Sequence, residues 1–410
     1  MSKVLFLSMP SHGNVNPTLG LVSELVKQGE EIIYFSSTEF KEQIERTGAI
    51  FKPYSEDLDI FKIGGKPFEH LNRVLQAADR IITGILYQVK DLEYDFDYMI
   101  HSMAFPFAKV FAHMLEVPTV SSLAIFAGLR QFLKKSNDMA HMIPPGAEET
   151  METFNKAIQK ISKTYDLPMP DNIMSLLFNK GDINLVYTSR LFAPDIEFFD
   201  KSYKFVGPPI YNREEMTDFP FEKLQDKTVI YISLGTVFGS YNLDLYTLFF
   251  KTFNDPNTVV VLAAYQVDLS QFDIPDNFIV RNYVPQSALL KYTDVAITHA
   301  GMNSISDLIH HHIPFVAIPL GADQPALAKK AEELGATIAL DVNDLTPKLL
   351  RDAVENVRND PRYVENIKVI NNSFQQAGGY KKAVEEIFKM KNERGINLSD
   401  PVTGGQTHQH

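Results

Sequence analysis

The residues best suited to chemistry lie in the second half of the chain, between positions 282 and 324. There an apolar run is followed at 299–304 by His-Ala-Gly-Met-Asn-Ser, which opens a predicted helix. A strand that leads into a helix leaves backbone N–H groups at the positive end of the helix dipole. His299, Asn303 and Ser304 add side-chain donors, so this segment predicts an anion site able to stabilise a departing diphosphate.

Side chains around this segment fit the other parts of a nucleotide. Asp307 lies one turn into the predicted helix, where its carboxylate can accept hydrogen bonds from ribose hydroxyls. Tyr283, in the sequence Tyr-Val-Pro-Gln, offers a flat face on which a base can stack. In the earlier loop 233–240, Thr236 could approach a phosphate. That loop lacks the lysine of a P-loop, and by itself such a sequence is more often only a turn.

The first half of the chain contributes a candidate base, His12. It follows the apolar run Val4–Ser8 and precedes Gly13, which places an imidazole beyond a predicted strand. Ligands of open parallel sheets bind beyond the carboxyl ends of the strands, and a neutral imidazole has a pKa suited to removing a proton near pH 7. The alternative is a turn histidine satisfied by backbone groups, and position alone does not decide between the two.

Parallel sheets would position these residues, and the hydrophobic pattern predicts two such sheets. Short apolar runs alternate with amphipathic stretches from Val4 to Thr47, and the same alternation returns from Thr228 onward. This is the strand and helix rhythm of sheets that are covered on both faces. We therefore predict an α/β fold with two doubly wound Rossmann-like domains that face each other across a cleft.

The predicted domain boundary lies near residue 215, because a chain of 410 residues is longer than one hydrophobic core usually supports. The turn-rich segment 206–212 and the acidic stretch that follows it are typical of a connection between domains. We predict a first domain over 1–215, with its linker from about 207, and a second domain over 216–392. Residues 393–410 are predicted to form a flexible tail.

Charge and composition exclude several classes of protein. The formal net charge of −12 argues against a broad basic face for nucleic acid or for an anionic membrane. The absence of cysteine excludes disulfides and thiolate nucleophiles. No stretch approaches the ~18–20 apolar residues of a membrane-spanning helix, and the short first apolar run does not fit a signal peptide. We expect a soluble, cytoplasmic monomer that has no nucleic-acid or integral membrane partner.

The Tyr-Val-Pro-Gln, His-x-Gly-x-Asn-Ser and Asp-Gln elements, in this order and spacing, resemble the donor-binding signature of a known family. It is the family of nucleotide-sugar-dependent glycosyltransferases with two Rossmann domains, the GT-B type. The start Ser-His-Gly-Asn-x-Asn-Pro is similar as well, and the likeness is closest to bacterial macrolide and flavonoid glucosyltransferases. The resemblance implies inverting transfer of a hexose, glucose in particular, from a UDP-sugar to a hydroxyl of an apolar small molecule. It implies no cofactor and no metal ion.

The resemblance also implies a role for each matching residue. His12 would deprotonate the acceptor hydroxyl for in-line attack on the anomeric carbon. Tyr283 would stack on the uracil beside Val284, Gln286 would contact the nucleoside, and Asp307 would hold the ribose. The other donor-binding positions, for the diphosphate and the transferred sugar, are Thr236, His299, Gly301, Asn303, Ser304, Asp323 and Gln324.

One position departs from the family pattern. Where the family usually has an aspartate that hydrogen-bonds the base, the strand Tyr98–Met103 has Ser102, with His101 beside it. A neutral hydroxyl can orient an imidazole but stabilises the imidazolium much less. We take Ser102 as the second catalytic residue, and we expect either a weaker base or another carboxylate that supplies the charge.

The acceptor pocket is less defined by the sequence. Phe61 and Phe126 belong to apolar segments that could line it, although burial in the core explains each of them equally well. Two alternatives to transfer remain open: a nucleotide-sugar epimerase of the same architecture, and a protein that binds a nucleotide-sugar without catalysis. His12 favours transfer over epimerisation, whereas Ser102 in place of an acid favours the non-catalytic alternative.

Overall fold

The computed structural model describes residues 1–55, 67–124, 148–167, 173, 178–211, 218–236 and 242–396. Two sheets form its centre, one of seven strands and one of six. Helices lie between successive strands along the chain, and all neighbouring strands whose register is defined run parallel. The predicted α/β fold with two Rossmann-like sheets is confirmed.

The first sheet is built from the first half of the chain. Its strands are β1 (Lys3–Leu7), β2 (Glu31–Ser36), β3 (Ile50–Pro53), β4 (Tyr98–Ser102), β5 (Thr119–Leu123), β6 (Ile183–Val186) and β7 (Tyr203–Phe205). They lie in the order β3-β2-β1-β4-β5-β6-β7. The strand order therefore reverses between β1 and β4, and the crevice at such a reversal is where open parallel sheets bind ligands.

Helices cover both faces of this sheet. They are α1 (His12–Lys27), α2 (Lys41–Glu45), α3 (Pro67–Gln76), α4 (Ala78–Asp91), α5 (Ala108–Leu115) and α6 (Glu148–Tyr165). Val4 and Phe6 of β1 belong to one hydrophobic cluster, whereas Leu5 and Leu7 belong to another on the opposite face. Burial on both faces explains why this strand is a continuous apolar run rather than an alternating one.

The second sheet repeats this plan. Its strands are β8 (Thr228–Ser233), β9 (Thr258–Ala263), β10 (Phe278–Arg281), β11 (Val295–Thr298), β12 (Phe315–Ala317) and β13 (Thr337–Ala339), in the order β10-β9-β8-β11-β12-β13. Its helices are α7 (Leu243–Thr252), α8 (Gln286–Leu289), α9 (Met302–His310), α10 (Gln324–Glu333), α11 (Pro347–Asn359) and α12 (Pro361–Gln376). The order reverses between β8 and β11, so the ends of these strands form the second expected crevice.

The last helix, α13 (Gly379–Glu393), returns to the first half of the chain. Its buried residues Ala383 and Ile387 share a hydrophobic cluster with Val4 and Phe6 of β1. The Tyr380 hydroxyl donates a hydrogen bond to the Pro17 carbonyl at 2.8 Å. The predicted division at residue 215 assigns this helix to the second domain, yet its apolar face is buried on the first half of the chain.

The two stretches of chain that connect the halves meet at Gly207. This glycine has a φ of 86°, a conformation that L side chains rarely adopt. A Cβ atom there would lie 2.7 Å from the carbonyl oxygen of Phe374, in the last turn of α12, where the second connection starts. The predicted boundary near 215 falls within 212–217, outside the described residues, as do 397–410 of the predicted tail.

Helix α1 begins earlier than the sequence predicts. Proline is favoured at the start of a helix and breaks its interior, so Pro17 suggests a start at that residue after a loop. The structure instead places Pro17 inside α1, which starts at His12. Pro17 lies close enough to the N-terminus that only one hydrogen bond, to the Gly13 carbonyl, is missing from the second turn. His12 is therefore the first helical residue and not part of a loop.

Candidate active site

His12 lies where β1 ends and α1 begins, at the crevice of the first sheet. Its Nε2 atom is 3.3 Å from Oε1 of Glu39, which follows β2, the strand next to β1. The Phe40 ring packs edge-on against the imidazole, with 5.0 Å between ring centroids. The imidazole side chain is 23% exposed, so it is supported by protein yet reachable from the cleft.

Ser102 ends β4 on the other side of β1 and is buried. Its hydroxyl oxygen accepts a hydrogen bond from the Met9 backbone N–H at 3.1 Å. Met9 belongs to the short connection between β1 and α1, so Ser102 fixes the segment that carries His12. The structure therefore brings Ser102 to the expected crevice, with a contact to the backbone that leads to the imidazole.

The anion segment lies at the crevice of the second sheet, between the end of β11 and the start of α9. Gly301 is the N-cap of α9 in an extended conformation, and its position carries no side-chain cap. The first N–H groups of a helix have no partner within the helix, and the helix dipole makes that end favourable for an anion. Asn303 and Ser304 lie in this first turn and are partly exposed.

His299 packs beneath this helix start and is held by Ser233 at the end of β8. Its Nδ1 atom lies 3.3 Å from the Ser233 carbonyl oxygen, which can only accept, so Nδ1 donates. The ring retains some exposed surface, yet desolvation by the surrounding protein lowers the pKa of His299 to about 4. The imidazole is therefore neutral near pH 7, and its Nε2 atom presents a lone pair. Nε2 could therefore form a hydrogen bond with a diphosphate oxygen only if a proton lay between the two atoms.

Gln286 and Asp307 meet in the same crevice. The Gln286 Nε2 atom donates to Oδ2 of Asp307 at 2.6 Å, and its Oε1 atom accepts from the Tyr231 hydroxyl at 2.9 Å. Gln286 and Tyr231 lie close to Ser233 and Ser304 in this crevice. The two residues predicted to contact the nucleoside and the ribose are thus brought together, and Tyr231 of β8 orients them.

The remaining residues predicted to bind the donor differ in whether their side chains are exposed or buried. Thr236 is exposed beyond the end of β8, whereas Val284 packs into the core, so that only its backbone could face a ligand. Asp323 and Gln324 are buried at the start of α10. The Gln324 side-chain oxygen accepts from the N–H groups of Leu320 and Gly321 at 2.8 and 3.1 Å, which shapes the loop before α10.

The two crevices face each other through aromatic rings. The Tyr283 ring lies 6.5 Å from the His12 ring between centroids, and the Tyr265 ring lies 6.2 Å from it. Both tyrosines belong to the second half of the chain, after β9 and β10. The predicted base and the predicted stacking residue therefore line one cleft between the two halves.

Comparison with known proteins decides the family. The model of the UDP-glucoronosyl and UDP-glucosyl transferase family matches residues 219–375, which include the donor segment. An uncharacterized UDP-glucosyltransferase of Bacillus subtilis (strain 168), YdhE, is 34% identical over 406 residues, covering 96% of this chain and 100% of its own length. The chain belongs to this family. It is a glycosyltransferase that uses a UDP-sugar.

Two further likenesses extend over nearly the whole glycosyltransferase. Oleandomycin glycosyltransferase of Streptomyces antibioticus is 24% identical, covering 94% of this chain and 90% of its own. The crystal structure of the glycotransferase of kitacinnamycin superposes with a TM-score of 0.81 at 25% identity. That superposition covers 95% of this chain and 98% of the other, so the GT-B architecture is shared from end to end.

Some predictions about this glycosyltransferase lie outside what the structure describes. Phe61 and Phe126, the predicted acceptor-lining residues, fall in the segments 56–66 and 125–147 and are outside the described residues. Within the described ranges, no group of three His, Asp or Glu side chains is arranged to hold a metal ion. No helix among them is long and apolar enough to cross a membrane.

Sequence reasoning missed Glu39, Phe40 and Tyr265 at the active site of this glycosyltransferase. Glu39 and Tyr265 follow β2 and β9, the strands that lie beside the first strand of each sheet. Their positions after those strands are a usable signal, because the carboxyl ends of neighbouring parallel strands lie at the same edge. That signal gains weight only once the strand order is known.

Proposed function

We propose that this glycosyltransferase transfers glucose from UDP-glucose to a hydroxyl of an apolar small molecule, such as a flavonoid or a macrolide, with inversion at the anomeric carbon. The observation that carries the proposal is the position of His12. His12 lies just after β1, and its ring centroid is 6.5 Å from that of Tyr283 in the second half of the chain. A base on one side of the cleft and a diphosphate site on the other suit in-line attack.

The proposed reaction forms one bond and breaks one. His12 takes the proton of the acceptor hydroxyl while the acceptor oxygen forms a bond to the anomeric carbon. The bond between that carbon and the diphosphate oxygen breaks. The electron pair leaves with UDP. Attack from the face opposite the diphosphate inverts the configuration of the sugar.

The start of α9 is the proposed diphosphate site. Its N–H groups, with Thr236, Asn303, Ser304 and a protonated His299, would stabilise the charge that develops on UDP. We propose that these donors take the place of a metal ion. The reaction is then expected to continue in EDTA.

The rest of the donor would extend along the second crevice. Asp307 and Gln286 are proposed to hold the ribose and the nucleoside, and the exposed ring of Tyr283 is proposed to stack on the uracil. Asp323 and Gln324 are proposed to bind the hydroxyls of glucose. The acceptor is proposed to be apolar because oleandomycin glycosyltransferase is among the relatives that match nearly the full length.

Product analysis by mass spectrometry tests this function. The protein is incubated with UDP-glucose and a panel of flavonoids and macrolides, with and without EDTA. We expect a hexose adduct in both conditions, and a β-linked glucose by NMR from the α-linked donor. UDP bound without any adduct would favour the binding-protein alternative, and a changed nucleotide-sugar without acceptor would favour the epimerase.

The variant His12→Ala identifies the base. Loss of a general base lowers turnover by on the order of 10²–10⁴-fold, and the affinity for UDP, measured calorimetrically, should stay nearly the same. His113→Ala, at an exposed histidine of α5, is the matched control and should keep full turnover. Loss of UDP binding in His12→Ala would contradict the role proposed for this residue.

A further inference from the structure

The feature that the proposed mechanism does not yet use is the carboxylate beside His12. The Glu39 Oε1 atom lies 3.3 Å from Nε2 of His12. The titratable groups that face the imidazole from packed elements include this carboxylate and the phenols of Tyr265 and Tyr283. Of these three side chains, Glu39 supplies the acidic group.

The fold holds Glu39 at this place. It lies in the single helical turn Thr38–Phe40, directly after β2. The next residue, Phe40, is 1% exposed and packs against the His12 ring, so the backbone that follows the carboxylate is anchored in the core. Because β2 pairs with β1 in parallel register, the segments that follow the two strands lie side by side.

Ser102 supplies no charge at the same crevice. Its hydroxyl accepts the Met9 N–H, so it acts on the backbone before His12. His101, next to it in β4, is buried and neutral, since desolvation lowers its pKa to about 4. Among the described residues, Glu39 places a carboxylate in contact with the imidazole.

We propose that Glu39 is a positioning residue that orients the His12 imidazole and stabilises the positive charge it acquires when it takes the acceptor proton. The assignment rests on the proposed role of His12 as the base. An ionised carboxylate beside an imidazole favours the charged form of the ring. Glu39 is 52% exposed, so water screens the pair and the effect is moderate.

The pH–rate profile of Glu39→Gln is the first test. Removal of the carboxylate should move the acid limb of kcat/KM to lower pH by about half to one unit, since His12 then loses its proton more easily. The plateau rate should fall by about tenfold while KM for UDP-glucose stays within twofold. An unshifted acid limb in Glu39→Gln would overturn the proposal.

Glu42→Gln is the matched control, because it removes the same charge one turn further along. Glu42 is exposed and pairs with Arg46, at i and i+4 across the end of α2. We expect its acid limb and plateau rate to equal those of the wild type. Equal shifts in both variants would show a general field effect and would also overturn the specific role of Glu39.

NMR titration of histidine-labelled protein separates this inference from the proposed function. The His12 signal is assigned by its loss in His12→Ala, and its pKa is measured in the wild type and in Glu39→Gln without any substrate. A lower His12 pKa in Glu39→Gln supports the pair even if no acceptor is ever glycosylated. An equal pKa in the two proteins refutes the pair, even if glycosyl transfer is established.

Discussion

Gly301 is the residue at which the donor site leaves no room for a side chain. A Cβ atom there would lie 2.5 Å from Nε2 of His299, although the backbone conformation, φ −66° and ψ 145°, suits any residue. A Cβ atom at Gly235 would lie 2.6 Å from the same imidazole atom. Both glycines thus leave room for the ring that the family motif assigns to the diphosphate.

Gly301→Ala should therefore displace His299 without straining the backbone. We expect UDP to bind about tenfold more weakly, a loss of ~1.4 kcal/mol, while the melting temperature changes little. Isothermal calorimetry measures the first quantity and thermal unfolding the second. Gly84→Ala, in α4 with only an ordinary contact at 3.8 Å, is the control. An unchanged UDP affinity in Gly301→Ala would show that His299 does not contact the donor.

At the residue scale, the sequence indicates candidate residues that belong to short motifs, but not contacts between residues far apart in the chain. His12, His299 and Ser304 could be found because each follows a strand within a short motif. Glu39 could not be assigned to His12, because the contact depends on β2 lying beside β1. The sequence points to β4 for the partner of the base, where Ser102 binds the Met9 N–H, and it does not identify which other carboxylate supplies the charge.

Strand β4 contains a buried histidine, next to its last residue, that affects stability. His101 is 1% exposed, its Nδ1 atom lies 3.0 Å from the Ser102 carbonyl oxygen, and desolvation lowers its pKa from 6.5 to about 4. Above about pH 6.5 both the folded and the unfolded chain hold this ring neutral. Below that pH the unfolded chain binds a proton that the folded chain does not, so the free energy of unfolding falls.

The fall is expected between pH 6.5 and about pH 4 and then levels off, at ~1.4 kcal/mol per pH unit for one such histidine. Urea unfolding at a series of pH values measures it. His101→Asn keeps a donor for the Ser102 carbonyl and should reduce the slope, whereas His113→Gln, at an exposed position, should not. Equal slopes in the wild type and His101→Asn would contradict this account.

The strands were predictable for a physical reason, and the start of α1 was not. Strands buried on both faces must be continuous apolar runs, as β1 and β8 are, and such runs stand out in a sequence. The start of α1 depends on whether one missing hydrogen bond at Pro17 is tolerated, and packing of the helix on the sheet decides that. Local propensity favours a helix start at Pro17, whereas α1 starts at His12.

At the scale of the molecule, α13 joins the two ends of the chain through a buried ion pair. Lys391 Nζ lies 2.6 Å from Oε1 of Glu30, and both side chains are 1% exposed. The Tyr98 hydroxyl donates to the other carboxylate oxygen at 2.9 Å. The sequence could not reveal this pair, because positions 30 and 391 share no local pattern and their contact exists only in the folded chain.

Lys391→Ala should destabilise the protein by about 3–5 kcal/mol, since Glu30 is left buried without its cation. Lys382→Ala, which removes an exposed lysine of the same helix that pairs with Glu385 and Glu386, should cost less than ~1 kcal/mol. Urea unfolding compares the two. Similar losses in both variants would mean that the buried pair adds nothing beyond an exposed one.

Because α13 lies on the first half, the polypeptide passes between the two halves twice, and both passages touch at Gly207. Because both covalent connections run through this one contact, we expect any rotation of one half against the other to be centred near Gly207. The Ser189 and Ser373 hydroxyls, 2.8 Å apart, add a hydrogen bond between the two halves, since Ser189 follows β6 and Ser373 lies in α12. His12 and Tyr283 lie on opposite halves, so such a rotation would change the width of the cleft between their rings.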